Sequence, residues 1–118
     1  MNDRQPIEIT SRIAEGITIL EVHGRLTIGE SSEQLFGSLN DVVQSGARRV
    51  VVLLDGVPQM DSSGLSTLVR ISIALARKGG VLRLVCGQGR VRDALTVTRL
   101  VEAIPTFETE AEAVAHFN

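Results

Sequence analysis

The sequence predicts an α/β fold: a mixed sheet of about five strands, antiparallel at its N-terminal edge and mainly parallel beyond, with about four helices packed mainly on one face. Three observations carry this reading. Segments rich in Val, Ile and Leu alternate with segments of helical periodicity in the order β-β-α-β-α-β-α-β-α, and repeated β-α units imply parallel strands joined by right-handed crossovers. The length, 118 residues, is that of one domain, spanning residues 1–118. Apolar residues make up 43% of the chain and aromatics only 3%, so the core is aliphatic, and its many β-branched side chains suit strands.

The elements follow in order. Ile7 to Ile13 and Ile17 to Val22 read as two strands, and Ala14-Glu15-Gly16 between them predicts an antiparallel hairpin. Gly24 breaks the second strand. A helix is expected from Ser31 to Gln44: Ser31 and Gln34 have the spacing of a capping box, Leu35, Leu39, Val42 and Val43 form one apolar stripe, and Gly46 supplies the stop. Val50 to Leu54 is apolar without alternation, as a central strand covered on both faces should be. Asp55-Gly56-Val57-Pro58 then reads as a turn.

The clearest helix runs from Ser63 to Arg77, with Leu65, Leu68, Val69, Ser72, Leu75 and Ala76 assigned to its buried face, and Gly79-Gly80 ends it. Val81 to Cys86 is the next strand. A short helix over Val91 to Thr96, an apolar turn at Leu100-Val101 and a brief strand from Ile104 to Phe107 follow. Thr109 and Glu112 repeat the capping-box spacing ahead of Ala113, Val114 and Phe117, which predicts a closing helix.

Composition narrows the function. A net charge of −2 and the absence of Trp and Tyr argue against a nucleic-acid or anionic-membrane binder, which needs a basic surface or stacking platforms. A lone cysteine, Cys86, cannot close an internal disulfide and suits a reducing compartment. The polar stretch at residues 1–10 lacks the apolar centre of a signal peptide, and no run is long enough to span a membrane, so a cytoplasmic location is expected.

The informative segment is Val57 to Leu65, where a hydrophobic strand ends, a loop turns and small hydroxylated residues open an amphipathic helix. Asp61, Ser62 and Ser63 are all good N-caps, and capping alone accounts for one of them. A helix N-terminus also favours anions through its unpaired N–H groups and its dipole. A serine placed there can carry a phosphate at low cost, and Gly64 removes a side chain that would crowd it.

These residues resemble the STAS domain family, named for sulphate transporters and anti-sigma factor antagonists, whose signature Asp-Ser-Ser-Gly-Leu stands here as Asp61-Ser62-Ser63-Gly64-Leu65. The resemblance runs from Ile7 to Phe117 and includes Gly24 with Leu26, Gly79-Gly80, and the short helix after Cys86. It implies that Ser63 is phosphorylated by an anti-sigma factor that is also a serine kinase, and that a PP2C-type phosphatase resets it. It implies too that Asp61 shapes the loop around the phosphoacceptor, with Ser62 and Gly64 completing the switch loop. The family's second acid usually ends a Gly-x-x-Asp motif. Here Thr27 closes Gly24-Arg25-Leu26-Thr27, a departure that weakens the implied nucleotide contact at that edge and bears on which kinase recognises the loop, with nearby Glu30 as the candidate substitute for the missing acid. The function so implied is an anti-sigma factor antagonist, a binding module and no enzyme, needing no cofactor. A stand-alone STAS subunit of a lipid-transport or signalling assembly, never phosphorylated, is the alternative.

Other candidates carry less. Cys86 has no nearby His in sequence and reads as a buried inert thiol. His23 and His116 lack metal-ligand spacing. Gly87-Gln88-Gly89 is an incomplete dinucleotide fingerprint, and the serine pair is not a nucleophile elbow. Ile71 and Ile73 widen the apolar arc of the Ser63 helix. Either they pack against neighbouring helices, or Ile71, with Thr67 and Gly64, forms a partner surface beside the serine.

Overall fold

A computed structural model describes residues 7–115 and 117. One sheet holds five strands in the order β1-β2-β3-β4-β5: β1 (Glu8–Ala14), β2 (Ile17–His23), β3 (Arg49–Gly56), β4 (Val81–Val85) and β5 (Thr106–Phe107). β1 and β2 form the predicted antiparallel hairpin, in a register that sets Ile9 against Val22, and every later pairing is parallel. The helices are α1 (Glu30–Gln44), α2 (Ser62–Arg77), α3 (Arg90–Val97), α4 (Leu100–Ala103) and α5 (Glu110–Val114).

Side chains alternate between the faces of a strand, and both faces of β3 are covered. Val50, Val52 and Leu54 join Leu35, Leu39 and Val43 of α1, Leu68, Ile71 and Leu75 of α2, and Leu95 of α3 in one large aliphatic core. Val51 faces the other way, into a smaller cluster with Ile17, Ile19, Val85, Ala113 and Phe117. The unbroken apolar run of β3 is thus explained by burial on both sides. Arg83 completes the second face by donating to the carbonyls of Ala113 and Ala115 while stacking on Phe107 and Phe117.

The structure corrects several local expectations. Helix α1 begins at Glu30 with Gly29 as its N-cap and no side-chain cap. Ser31 is one residue inside the helix and buried, its hydroxyl turned back to the backbone of Thr27, so the Ser31–Gln34 capping box does not form. Gln34 donates instead to the carbonyl of Ile7. Asp55 and Gly56 belong to β3, so the turn starts at Val57. The apolar turn at Leu100-Val101 is a short helix, α4. The face of α2 is rotated from the predicted one: Gly64, Thr67, Leu68, Ile71 and Leu75 are buried, whereas Ala76 is exposed. The inward line includes the small and polar positions 64 and 67, which an apolar count passes over.

Other boundaries stand. Gly46 follows the C-cap of α1 with φ +103°, a left-handed conformation that favours glycine. Thr109 and Glu112 form the predicted capping box of α5, each side chain accepting from the other's backbone N–H.

Candidate functional site

Beyond the ends of β2 and β3 the two chain segments continue side by side. Gly24 donates to the carbonyl of Gly56, Leu26 donates to that of Gln59, and Asp61 donates back to Leu26. This places Leu26 beside Met60 in an isolated parallel bridge. The pairing carries the Thr27–Ile28–Gly29 loop up to the first turn of α2, at the carboxyl end of the parallel strands, where open α/β sheets form their ligand crevices.

Asp61 is the N-cap of α2, which resolves the three-way choice left open by capping preference. Its Oδ1 accepts from the backbone N–H of Ser63 at 2.9 Å, from that of Gly64 at 3.4 Å, and from the Ser63 hydroxyl at 2.6 Å. Its Oδ2 accepts from the N–H of Ile28 at 2.9 Å. One carboxylate therefore caps the helix, orients the serine and ties down the loop after β2. Burial pulls the Asp61 pKa upward, but the Ser63 hydroxyl and the N–H groups of Ile28, Ser63 and Gly64 stabilise the anion, and the net pKa lies below the ordinary 3.8.

The Ser63 hydroxyl also lies 2.8 Å from that of Ser32, a residue of α1 that is 6% exposed. Ser32 is a site residue that sequence reasoning missed. A signal was present: Ser32 continues the Leu35–Leu39–Val43 stripe back one turn, and a polar residue at a core position needs a hydrogen-bond partner. Beside this pair opens a hollow of about 290 Å³, lined by Ser32, Ser63, Ser66, Phe36, Arg70 and Ile28, among others. The Arg70 guanidinium lies 4.1 Å over the Phe36 ring, joining α1 to α2 at the hollow's wall. Ile28 is 83% exposed, an apolar side chain in water at the rim.

The other expected site residues are placed as follows. Ser62 is exposed and opens α2. Gly64 faces inward, where a Cβ would come within 2.7 Å of Met60 Cγ and 3.1 Å of Leu26 Cβ. Its role is close packing, not clearance for a phosphate. Ile71 is 1% exposed and belongs to the core, so it is no partner surface. Thr67, 4% exposed, donates its hydroxyl to the carbonyl of Ser63 and only edges the hollow. The inward turn of α2 buries both. Thr27 contributes through its backbone: its N–H donates to the Ser31 hydroxyl, and its carbonyl lies within hydrogen-bond distance of the Ser31 and Ser32 hydroxyls.

Cys86 is buried, and burial, reinforced by Asp55 and opposed by Arg92, raises its thiol pKa, as an inert thiol requires. His23 is exposed beside Glu21 at 3.0 Å, and His116 lies outside the described residues. Among the described residues no three His, Cys, Asp or Glu side chains are grouped to hold a metal, and no helix is long and apolar enough to cross a membrane.

A strand-loop-helix junction with a capped, oriented serine, set on this β-β-α-β-α sheet, is the arrangement of a small STAS-like α/β domain. The STAS domain model matches residues 8–113, and the chain belongs to that family. A Thermotoga neapolitana protein named as a candidate anti-sigma factor antagonist is 25% identical over 103 residues, covering 87% of this chain and 91% of the relative. Among solved structures, an anti-sigma factor antagonist from Mycobacterium paratuberculosis superposes with a TM-score of 0.87 at 21% identity, over 94% of this chain and 93% of that one. The Bacillus cell fate determinant SpoIIAA in its phosphorylated form superposes with a TM-score of 0.69 at 18% identity, over 91% and 96% of the two chains. At these identities the structural likeness speaks to the fold.

Proposed function

We propose that this protein is an anti-sigma factor antagonist that works by partner switching, a binding module without catalysis of its own, with Ser63 as the switch. The observation that carries the reading is the 2.6 Å hydrogen bond from Ser63 Oγ to Asp61 Oδ1 at the head of α2, beside an open hollow. Family membership and the names of its relatives support the same role. Unphosphorylated, the protein binds an anti-sigma factor through the Ser63 loop and so frees the sigma factor for transcription. That partner is also a serine kinase. In the transfer, a bond forms from Ser63 Oγ to the terminal phosphorus of a nucleoside triphosphate as the bond to the diphosphate breaks. The hydroxyl proton, acidified as the new bond forms, passes to Asp61 and on to solvent. A PP2C-type phosphatase restores the serine by hydrolysis. The cycle belongs to the cytoplasm and involves neither membrane nor nucleic acid at this chain.

Magnitudes decide what the phosphate disrupts. It adds about −1.5 to −2 charges at neutral pH. Within the domain two effects oppose: the α2 N-terminus favours the charge by roughly 0.3–1 kcal/mol, and the Asp61 carboxylate repels it. At a partner interface the same charge must be desolvated, which costs on the order of several kcal/mol. The complex is lost and the fold survives. Ser63→Ala is expected to keep partner binding and to block phosphorylation, as read by co-purification and by mass spectrometry after treatment with the kinase. Ser63→Asp is expected to fold normally and bind far more weakly. Phosphate found on Ser62 with Ser63 bare overturns the assignment.

A further inference from the structure

We propose that Ser32, on α1, is a positioning residue for the Ser63 hydroxyl, holding it by hydrogen bond in the one orientation that directs its proton at Asp61. The inference deepens the switch reading and rests on it only for its consequence in phosphorylation. Its basis is an accounting of protons. Ser63 Oγ has one proton, and at 2.6 Å from a carboxylate that accepts but cannot donate, the proton must point to Asp61. The 2.8 Å contact between the two serine oxygens can then be a hydrogen bond only if Ser32 donates. Ser32 has a second acceptor in reach, the Thr27 carbonyl at 2.9 Å. That carbonyl already accepts from Ser31 at 3.0 Å, so the Ser32 proton is available to Ser63 without leaving the Thr27 carbonyl unpaired.

Ser63 Oγ is thereby held between two points on different elements: Asp61, ahead of α2, and Ser32, on α1. One of its lone pairs is filled by the Ser32 proton and one is left for bond formation. A serine held by Asp61 alone can leave that staggered rotamer by giving up one hydrogen bond. The second tie raises the cost of leaving, and a nucleophile confined to its reactive orientation reacts faster.

Ser31 provides the control. It anchors the same Thr27 backbone, through both N–H and carbonyl, yet makes no hydrogen bond to Ser63. The test is the pair of Hα–Hβ couplings of Ser63, measured by NMR in the native protein, in Ser32→Ala and in Ser31→Ala. We expect a single-rotamer pattern in the native protein and in Ser31→Ala, and an averaged one in Ser32→Ala. Native-like couplings in Ser32→Ala overturn the proposal. So does averaging in Ser31→Ala as well, because loop anchoring then explains both, and so does averaging already present in the native protein. These couplings need no kinase, so they test Ser32 even if Ser63 never accepts phosphate. With the anti-sigma kinase, Ser32→Ala is expected to lower kcat by about 2- to 10-fold, the worth of one neutral hydrogen bond, with KM unchanged. An unchanged kcat counts against the role.

Discussion

At the scale of single residues, Asp61 holds more of the site together than any other side chain. Its two oxygens accept from four donors on two chain segments. Asn is as good an N-cap as Asp, but Asp61→Asn replaces one acceptor oxygen by an NH2 that faces either the Ile28 N–H or the Ser63 donors. The expected cost is about 1–2 kcal/mol in urea unfolding at neutral pH. The pH dependence follows from the sign of the shift. The folded pKa lies below the ordinary 3.8, so the unfolded chain binds the proton first as pH falls. The stabilisation is complete above about pH 4–5 and fades as pH falls through the folded pKa. The stability gap between native protein and Asp61→Asn is therefore expected to close on acidification, and a gap that widens in acid contradicts this account. Asp61 was legible in the sequence because capping is local. Ser32 was not assigned, because its partner lies 31 residues away and the contact depends on how α1 packs on α2.

At the scale of elements, the lesson lies in α2. An apolar count placed Leu65, Val69 and Ala76 on the buried face, but the helix turns Gly64 and Thr67 inward with Leu68, Ile71 and Leu75. Close approach of α2 to the Leu26–Met60 bridge requires glycine at 64, a requirement invisible to hydrophobic periodicity. Gly64→Ala gains about 1 kcal/mol in helix propensity and loses about 1–3 kcal/mol to overpacking against Met60 and Leu26. The net expectation is a lower unfolding midpoint in chemical denaturation, and an unchanged or higher midpoint shows that the bridge yields. Ile71→Ala is expected to cost about 2–5 kcal/mol of stability as a cavity in the core. Loss of partner binding at unchanged stability contradicts its assignment as a core residue. At α1 the spacing of Ser31 and Gln34 satisfied the capping pattern, yet Gly29 opens the helix. The Ser31 hydroxyl is taken by the loop it secures and the Ser32 hydroxyl lies within reach of both that loop and Ser63, a choice made by the β2–β3 extension and not by the helix itself.

At the scale of the whole molecule, strand order and direction were legible because β-α alternation leaves few topologies and the Val50–Leu54 run announces a strand buried on both faces. The site sits where two of those strands end, tied to both core helices, so it is built on rigid elements while its hollow and the Ile28 rim face solvent. On the proposed function, a charge added there meets the partner before it disturbs the core. The central claim is that phosphate on Ser63 controls association and leaves the fold intact. The most direct test is the affinity of the anti-sigma factor for protein carrying phosphoserine at position 63, titrated beside the unmodified protein. The account predicts binding weaker by about 100-fold or more, with the thermal unfolding transition retained. Equal affinity of the two forms contradicts it.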